Sequence, residues 1–471
     1  MIKNISFQKV LSKKIERNNA KRKKLLKERR KKKLKLQAKN EYYANIRSLI
    51  YCYQDVIDRF MPKNLYYLIT ESKSPLKILI ELSRQRTIKE KISIPRIFSI
   101  IDNPKESYET LKSITQTIVQ QKTSSLLLDY SKCQNTDLLT QVFLDAVLKD
   151  WKKFCGRCNR AKLGNYMKLH HYGASGYNDN LIKMINSVGS PAVLNIRQVK
   201  FPDIIPFTLK YYDKHYEDDL NIETSDEAQI TSLVSYVEAC LNRVHKDLTP
   251  QAKQDLGDVI GETLNNASIH STLSSRYVIG YFEDQTDEQS QSFSGTLHLV
   301  IMNFGQSIYE RFKNPDPNIN INKEVVRQME SLSSHYNKNT LFRREIFHES
   351  TLWTLYSLQH RVSIFPDKKR GSGTIRFIEK FLNLSGEKNV NKSRLILYSG
   401  DSIIEFDGSY RLKEKINEEG EKMQIMAFNE EGDLKIRPDK NFVRYSKSYF
   451  PGTAIFAKIK LHSEILKENG D

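Results

Sequence analysis

From Ile94 onward, the chain alternates short apolar runs with amphipathic helical patterns, and this alternation constrains the fold more than any other feature. The runs Ile94–Ile101 and Ser125–Asp129 each predict a strand. The patterns over Glu106–Gln121 and Asp137–Phe154 are typical of helices. Strands separated by helices indicate a small α/β domain with a parallel or mixed sheet, which we assign to residues 41–205.

A strongly basic segment, residues 1–40, precedes this domain. Between Lys13 and Lys35, fourteen Lys or Arg residues stand against two Glu, a net charge of 14 − 2 = +12 out of +19 for the whole chain. Such a block attracts polyanions through counterion release and long-range steering. We expect a basic helical arm. Non-specific nucleic-acid binding is one reading of it, and a solvated arm without a ligand is the alternative.

The remaining composition predicts a cytoplasmic protein. No uninterrupted apolar run approaches the roughly 18–20 residues that a membrane span needs, and the basic N-terminus has no apolar segment behind it to form a secretory signal. The five cysteines are too few and too scattered for a disulfide framework. We therefore expect no transmembrane segment and reduced cysteines.

The Cys155-Gly-Arg-Cys158 segment, with His170 and His171 after it, raises the possibility of a zinc site. Cys-x-x-Cys is a common zinc half-site, but no second half-site is evident in the sequence. A redox role would require thioredoxin-like surroundings, which the sequence does not show. Zinc binding at these residues stays an alternative.

The segment Pro250–His270 is predicted to be a helix. Thr249 can cap it, and Pro250 suits its first position. Beside an apolar stripe, Glu262, Asn266 and His270 recur every four residues and therefore share one edge of the helix. A carboxylate can position or deprotonate a water, and an amide oxygen is a suitable Mg²⁺ ligand. The alternative reading is a solvated polar face.

Three further motifs follow this helix. A predicted strand, Gly295–Met302, runs into Asn303-Phe-Gly305. Later, Arg370-Gly-Ser-Gly-Thr374 opens a predicted helix, where backbone N–H groups and the helix dipole favour phosphate oxygens. Finally, Phe-Pro-Gly-Thr453 leads into an alternating strand, Ala454–Leu461.

Taken in order, these four motifs resemble the nucleotide site of the GHKL (Bergerat-fold) ATPases, which include histidine kinases, Hsp90, gyrase B and MutL. The resemblance covers about residues 228–462. It implies that residues 206–471 form an α/β sandwich with helices on one face of a mixed sheet. The whole chain would then be an α+β and α/β protein whose ligands are ATP and Mg²⁺.

The resemblance also implies a role for each matched residue. Glu262 would be the general base or water-positioning group, and Asn266 the Mg²⁺ ligand. Asn303 and Gly305 fall where the family contacts adenine, and Thr453 falls where a hydroxyl supports the adenine-bound water network. The phosphate-facing segment would be Gly371, Ser372, Gly373 and Thr374.

The chain departs from the family pattern at two positions. Asn303 stands where the family has the aspartate that reads adenine, and a neutral amide oxygen accepts a hydrogen bond less strongly than a carboxylate. Ser307 stands where a second glycine is expected. The long interval from Gly305 to Gly371 corresponds to the ATP lid of the family, which would close over bound nucleotide.

These features predict an ATP- and Mg²⁺-binding ATPase that acts as a nucleotide-driven switch in signalling, stress response or phage defence. Kinase-like phosphotransfer to a protein partner is an alternative, although no phosphoacceptor helix pair precedes Glu262. A nucleic-acid- or partner-binding scaffold with a degenerate nucleotide site is another. The segment from Leu126 to Ser131 (Leu-Leu-Leu-Asp-Tyr-Ser) resembles STAS domains, the partners of anti-sigma kinases. A protein partner is expected, and a homodimer is possible.

Overall fold

The structure is a computed structural model of the chain. It describes residues 21, 24–37, 41, 50–163, 171–176, 178–194, 196–213, 226–270, 273, 275–285, 295–315, 317, 320–338, 347–366, 373–385, 393–416, 420–461 and 463–468. In chain order, the elements are α1 (24–37), α2 (Tyr53–Phe60), α3 (Lys63–Thr70), β1 (Thr87–Ser93), β2 (Ile97–Phe98), α4 (Pro104–Val119), β3 (Thr123–Asp129), β4 (Asn135–Thr136), α5 (Leu138–Arg160), β5 (His171–Ser175), α6 (Asp179–Ser187), α7 (Ser190–Leu194), β6 (Ile204–Asp213), α8 (Asp226–Asn242), β7 (Lys246–Leu248), α9 (Pro250–His270), β8 (Ser275–Asp284), β9 (Gly295–Phe304), α10 (Ile308–Lys313), α11 (Lys323–Lys338), α12 (Glu349–Ser357), α13 (Gly373–Ser385), β10 (Arg394–Phe406), β11 (Lys413–Ile416), β12 (Lys422–Ile425), β13 (Val443–Leu461), a 3-10 turn (Ser463–Ile465) and β14 (Leu466–Glu468).

The chain divides into two compact units. The first comprises Met1–Phe60 and Phe154–Lys168, and the second comprises Met61–Lys153 and Leu169–Asp471. In its described part, the first unit contains α1, α2 and the end of α5. Compactness does not locate the segments that fold independently, so the predicted domain boundaries after residues 40 and 205 stay predictions.

A three-stranded parallel sheet has the order β1-β3-β5. Because parallel neighbours need a crossover connection, α4 follows β1 and α5 follows β3, which confirms the alternation seen in the sequence. The first strand was misplaced, however. Of the predicted strand Ile94–Ile101, only Ile97–Phe98 is extended, as a short bridge to β4, whereas the sheet strand is Thr87–Ser93.

Five longer strands form the second sheet, in the order β10-β13-β9-β8-β6. Every neighbouring pair is antiparallel, so the prediction of a mixed sheet is wrong for these strands. The connections explain the difference. β8 and β9 are consecutive strands in the chain. Between β10 and β13 the chain forms the hairpin of β11 and β12 and reverses direction. Such direct returns give antiparallel neighbours.

One face of the antiparallel sheet packs against α8, α9 and α13. Leu299 and Ile301 of β9 belong to the same hydrophobic cluster as Val237 of α8, Ile260 of α9 and Phe377 of α13, and all five are buried. We call this the helix-covered face. Burial of apolar surface of this kind is the main source of stability for such a layer.

The opposite face of the same sheet is covered by α4 and α5, helices that lie outside the predicted domain 206–471. Phe304 of β9 meets the ring of Phe143 of α5 edge-to-face, with centroids 5.2 Å apart, and Phe143 in turn meets Tyr108 of α4. Phe450 of β13 and Tyr277 of β8 also pack on Phe304. This aromatic layer joins the sheet to α4 and α5, and aromatic rings contribute large buried areas.

A buried polar network lies within the helical layer around α5. The carboxylate of Asp145 accepts hydrogen bonds from Ser190 Oγ at 2.7 Å and from Gln141 Nε2 at 3.2 Å, and Tyr130 donates to Gln141 Oε1. Asp145 has no exposed surface. Burial disfavours the charged form and raises the pKa of Asp145 to about 7, although Ser190 and Gln141 partly oppose this shift.

None of the described helices combines the length and apolar character that a membrane span requires.

Candidate nucleotide site

The helix α9 begins and ends where the sequence predicts. Thr249 Oγ1 accepts a hydrogen bond from the backbone N–H of Ala252 at 3.2 Å, as an N-cap should. Glu262 lies on α9 and is partly exposed. Asn266 and His270 also belong to the helix, but their side chains lie outside the described part of the structure.

A cavity lies between α9, α13 and the helix-covered face of the antiparallel sheet. Its volume is about 460 Å³, counting space that opens to solvent. Apolar and hydroxyl-bearing residues line it together. They are Thr263, Ile301, Ile308, Ser357, Leu358, Thr374, Phe377, Leu397, Thr453 and Ile455.

Three polar side chains form a row across neighbouring strands beside this cavity. Ser399 of β10 is opposite Thr453 of β13, and Thr453 is opposite Asn303 of β9. The hydroxyls of Ser399 and Thr453 are 2.8 Å apart, and Ser399 Oγ also accepts the backbone N–H of Ile308 at 2.9 Å. All three side chains are buried, so these contacts satisfy groups that would otherwise be costly to bury.

The orientation of the Asn303 amide follows from this row. Its Oδ1 accepts the backbone N–H of Thr453 at 3.2 Å, so the oxygen rather than the NH₂ group points toward β13. Asn303 has no exposed surface and is not among the residues that line the cavity. The adenine contact that the sequence resemblance implies for it stays a prediction.

Residues from α3, from the segment just after it and from β13 contact the turn after β9 and the start of α10. Tyr67 OH donates to the carbonyl oxygen of Gly305 at 2.8 Å. Lys73 Nζ lies 2.5 Å from Glu310 Oε1, and Tyr449 OH donates to the other carboxylate oxygen of Glu310. Burial raises the pKa of Glu310, but the bonds from Lys73 and Tyr449 outweigh it, and the net result is a lowered pKa.

Ser307, which replaces the second glycine of the family pattern, has a structural role here. Its side chain accepts the backbone N–H of Glu310, and the Glu310 carboxylate accepts the backbone N–H of Ser307 at 2.9 Å. This is a capping box at the start of α10. The serine at this position therefore caps the start of α10. Ile308, the first residue of α10, lines the cavity.

Gly452 allows β13 and β9 to approach each other next to Asn303. It has φ = +149°, and a Cβ at this position would lie 2.1 Å from the carbonyl oxygen of Asn303. Real Cβ atoms do not come this close to backbone oxygen, so the position requires glycine. The motif Pro-Gly-Thr453 thus brings the Thr453 hydroxyl into the polar row.

Of the predicted phosphate-facing segment, the structure describes the helix start. α13 begins at Gly373, and Thr374 lines the cavity. Gly371 and Ser372 lie outside the described residues, as does the exposure of Gly373. Lys380 of α13 forms an ion pair at 3.0 Å with the buried Asp255 of α9. This pair links the middle of α13 to α9, the two helices that frame the cavity.

Two of the predicted site residues, Thr374 and Thr453, line the cavity. Asn303 lies buried beside Thr453, and Glu262 precedes the lining residue Thr263 on α9, but neither is itself in the lining. Ser399 was missed, because no motif marks it in the sequence. Its role follows only from the pairing of β10 with β13.

The zinc alternative receives no support from the described geometry. Cys155 and Cys158 lie one turn apart on α5, and burial raises the pKa of each thiol to about 12. Zinc binds the thiolate, which this shift disfavours. Across the described ranges, no group of three or more His, Cys, Asp or Glu side chains is placed to hold a metal ion.

Comparisons with protein-family models, with curated proteins and with solved structures find no match to this chain.

Proposed function

We propose that this chain binds ATP with Mg²⁺ in the cavity between α9, α13 and the antiparallel sheet, as GHKL ATPases do, and uses the nucleotide as a switch. The observation that carries the proposal is that Thr374 and Thr453, predicted site residues far apart in sequence, line one cavity together with α9. Thr263, Thr374 and Thr453 line it, and Asn303 is buried beside it. An apolar cavity with a few convergent polar groups is the usual form of a ligand site.

The adenine ring would lie against the sheet. Ile301, Leu397 and Ile455 provide apolar surface for a planar base. At one end of this surface, the hydroxyl of Thr453, which also bonds to Ser399, offers a hydrogen-bond partner for the base or for a water bound to it. This arrangement supports recognition of a base with an exocyclic amino group.

The phosphates would lie toward the start of α13. A helix N-terminus presents unpaired backbone N–H groups and the positive end of the helix dipole, which together favour phosphate oxygens. Across the cavity, α9 carries Asn266, the proposed Mg²⁺ ligand, and Glu262, the proposed water-positioning group. Mg²⁺ is commonly bound by one or two protein oxygens together with phosphates and waters.

Calorimetric titration of ATP with Mg²⁺ into the full-length protein tests the adenine end of the site. Thr453→Val keeps the side-chain shape and removes the hydroxyl, and we expect about tenfold weaker binding, the effect of one lost hydrogen bond. The matched control is Thr115→Val on α4, whose buried hydroxyl donates to Leu111 on the opposite side of the sheet. No binding to wild type, or equal weakening in both variants, would sink the proposal.

The same titration tests the Mg²⁺ end. Asn266→Ala is expected to bind at least about tenfold more weakly with Mg²⁺ and to lose the difference between titrations with Mg²⁺ and with a chelator. Asn265→Ala, the adjacent amide, is the control and should stay within about threefold of wild type. Glu262→Gln should also bind within about threefold, because a water-positioning group acts after binding. A Mg²⁺ dependence that survives in Asn266→Ala would contradict the assignment.

A further inference from the structure

The helix α1, residues 24–37, is exposed at every position. It carries eight Lys or Arg residues and one Glu, a net charge of 8 − 1 = +7 over fourteen residues. The basic residues are Lys24, Lys27, Arg29, Arg30, Lys31, Lys32, Lys33 and Lys35. With a rise of about 1.5 Å per residue, this charge is spread over about 21 Å of helix.

These charges surround the helix instead of forming one face. At about 100° per residue, no gap between successive basic side chains around the axis exceeds about 60°. The four leucines, Leu25, Leu26, Leu34 and Leu36, are each more than half exposed and spread over about half of the circumference, with basic residues between them. α1 therefore has no continuous apolar stripe.

We propose that α1 binds double-stranded DNA through its phosphates, without base specificity. A helix about 10–12 Å across fits the major groove of B-form DNA, which is about 12 Å wide. In that groove, phosphates lie on both sides of the helix, so cations on all of its faces can be used. The neutralised phosphates release counterions, which supplies the binding free energy.

Other polyanions fit α1 less well. An amphipathic helix that lies in a lipid surface needs an apolar face, commonly with aromatic residues, and α1 has neither. Single strands are bound by stacking of bases on aromatic side chains, which α1 also lacks. The major groove of A-form RNA is too deep and narrow for side chains to read or a helix to enter.

The test is fluorescence anisotropy of a labelled 20-base-pair DNA duplex with the full-length protein over a series of KCl concentrations. We expect wild-type binding to weaken steeply with salt. In the triple variant Lys31→Glu, Lys32→Glu, Lys33→Glu, affinity should fall at least about tenfold, and the slope of log K against log salt should flatten by about 3, close to 0.9 per lost phosphate contact.

The matched control reverses three exposed lysines elsewhere, Lys89, Lys105 and Lys112, on β1 and α4. It makes the same change in net charge and should leave DNA affinity within about threefold of wild type. Thermal melting of both variants checks that they fold. The inference does not depend on nucleotide binding, and ATP titration of the α1 variant should match wild type.

Four outcomes would overturn the proposal. The first is the absence of DNA binding by wild type. The second is an equal loss of affinity in the control variant, which would indicate an effect of net charge alone. The third is binding of single-stranded DNA or double-stranded RNA as tight as that of the duplex. The fourth is α1-dependent binding to vesicles that contain phosphatidylserine without binding to the DNA duplex, which would assign α1 to a lipid surface.

Discussion

Gly452→Ala is expected to destabilise the protein by about 3–5 kcal/mol, the sum of backbone strain and a steric overlap that cannot relax. The new Cβ would meet the carbonyl oxygen of Asn303 at 2.1 Å and the Cα of Phe304 at 2.8 Å, both backbone atoms of the paired strand. Relief requires β13 and β9 to separate where Thr453 and Asn303 meet. Chemical denaturation followed by circular dichroism measures the change in unfolding free energy.

Gly420→Ala is the matched control. Gly420 has φ = +80°, but a Cβ there would meet nothing within 4 Å. It therefore carries the strain of a left-handed conformation without the overlap, and we expect a cost of about 1–2 kcal/mol. If the two variants lose equal stability, the close approach of β13 and β9 does not determine the role of Gly452.

Asp145→Asn is expected to change the pH dependence of stability. The pKa of Asp145 is about 7 in the folded protein against an ordinary value of 3.8. Between these values, the folded state holds a proton that the unfolded state has released, so wild-type stability falls as pH rises from about 4 to about 7. The amide of the variant does not titrate, so the variant lacks this pH-dependent loss of stability. Its stability relative to wild type should rise by about 4 kcal/mol across that range.

Asp129→Asn provides a control of opposite sign. A hydrogen bond from Lys91 and the backbone N–H of Ser131 lower the pKa of Asp129 to about 2. Its contribution to stability is therefore present above about pH 4 and is lost as pH falls toward 2. Denaturation curves of wild type and both variants at pH 2 to 8 test both pH dependences. A pH-independent difference between wild type and Asp145→Asn would show that Asp145 does not hold its proton.

The helix α9, which covers the antiparallel sheet, could be predicted closely from the sequence. The bounds of α9 agree with the prediction because a cap, a proline at the first position and an apolar stripe all indicate the same segment. The predicted strands before Asn303 and after Thr453 also lie within β9 and β13. Local sequence is sufficient to predict the bounds of an element where several independent patterns indicate the same segment.

Other elements lack such signals. The strand β1 has the sequence Thr-Ile-Lys-Glu-Lys-Ile-Ser, in which only Ile92 is buried, and it contains no apolar run. The sequence pattern therefore predicted a strand in the more apolar segment that follows. The antiparallel arrangement of the large sheet depends on which distant strands pair, which no local pattern encodes. Ser399 was missed for the same reason, since it joins Thr453 and Asn303 only through strand pairing.

The contacts of Tyr67 and Lys73 with the turn after β9 and with α10 limit where this protein can be truncated. A fragment beginning at residue 206 would lack Tyr67 and Lys73, which hold Gly305 and Glu310. It would also expose the rings of Phe304 and Phe450 to solvent, because Phe143 of α5 packs on both of them. An exposed aromatic surface of this kind promotes aggregation. Truncation studies of nucleotide binding should therefore start no later than Met61, so that the side chains supporting the site stay with it.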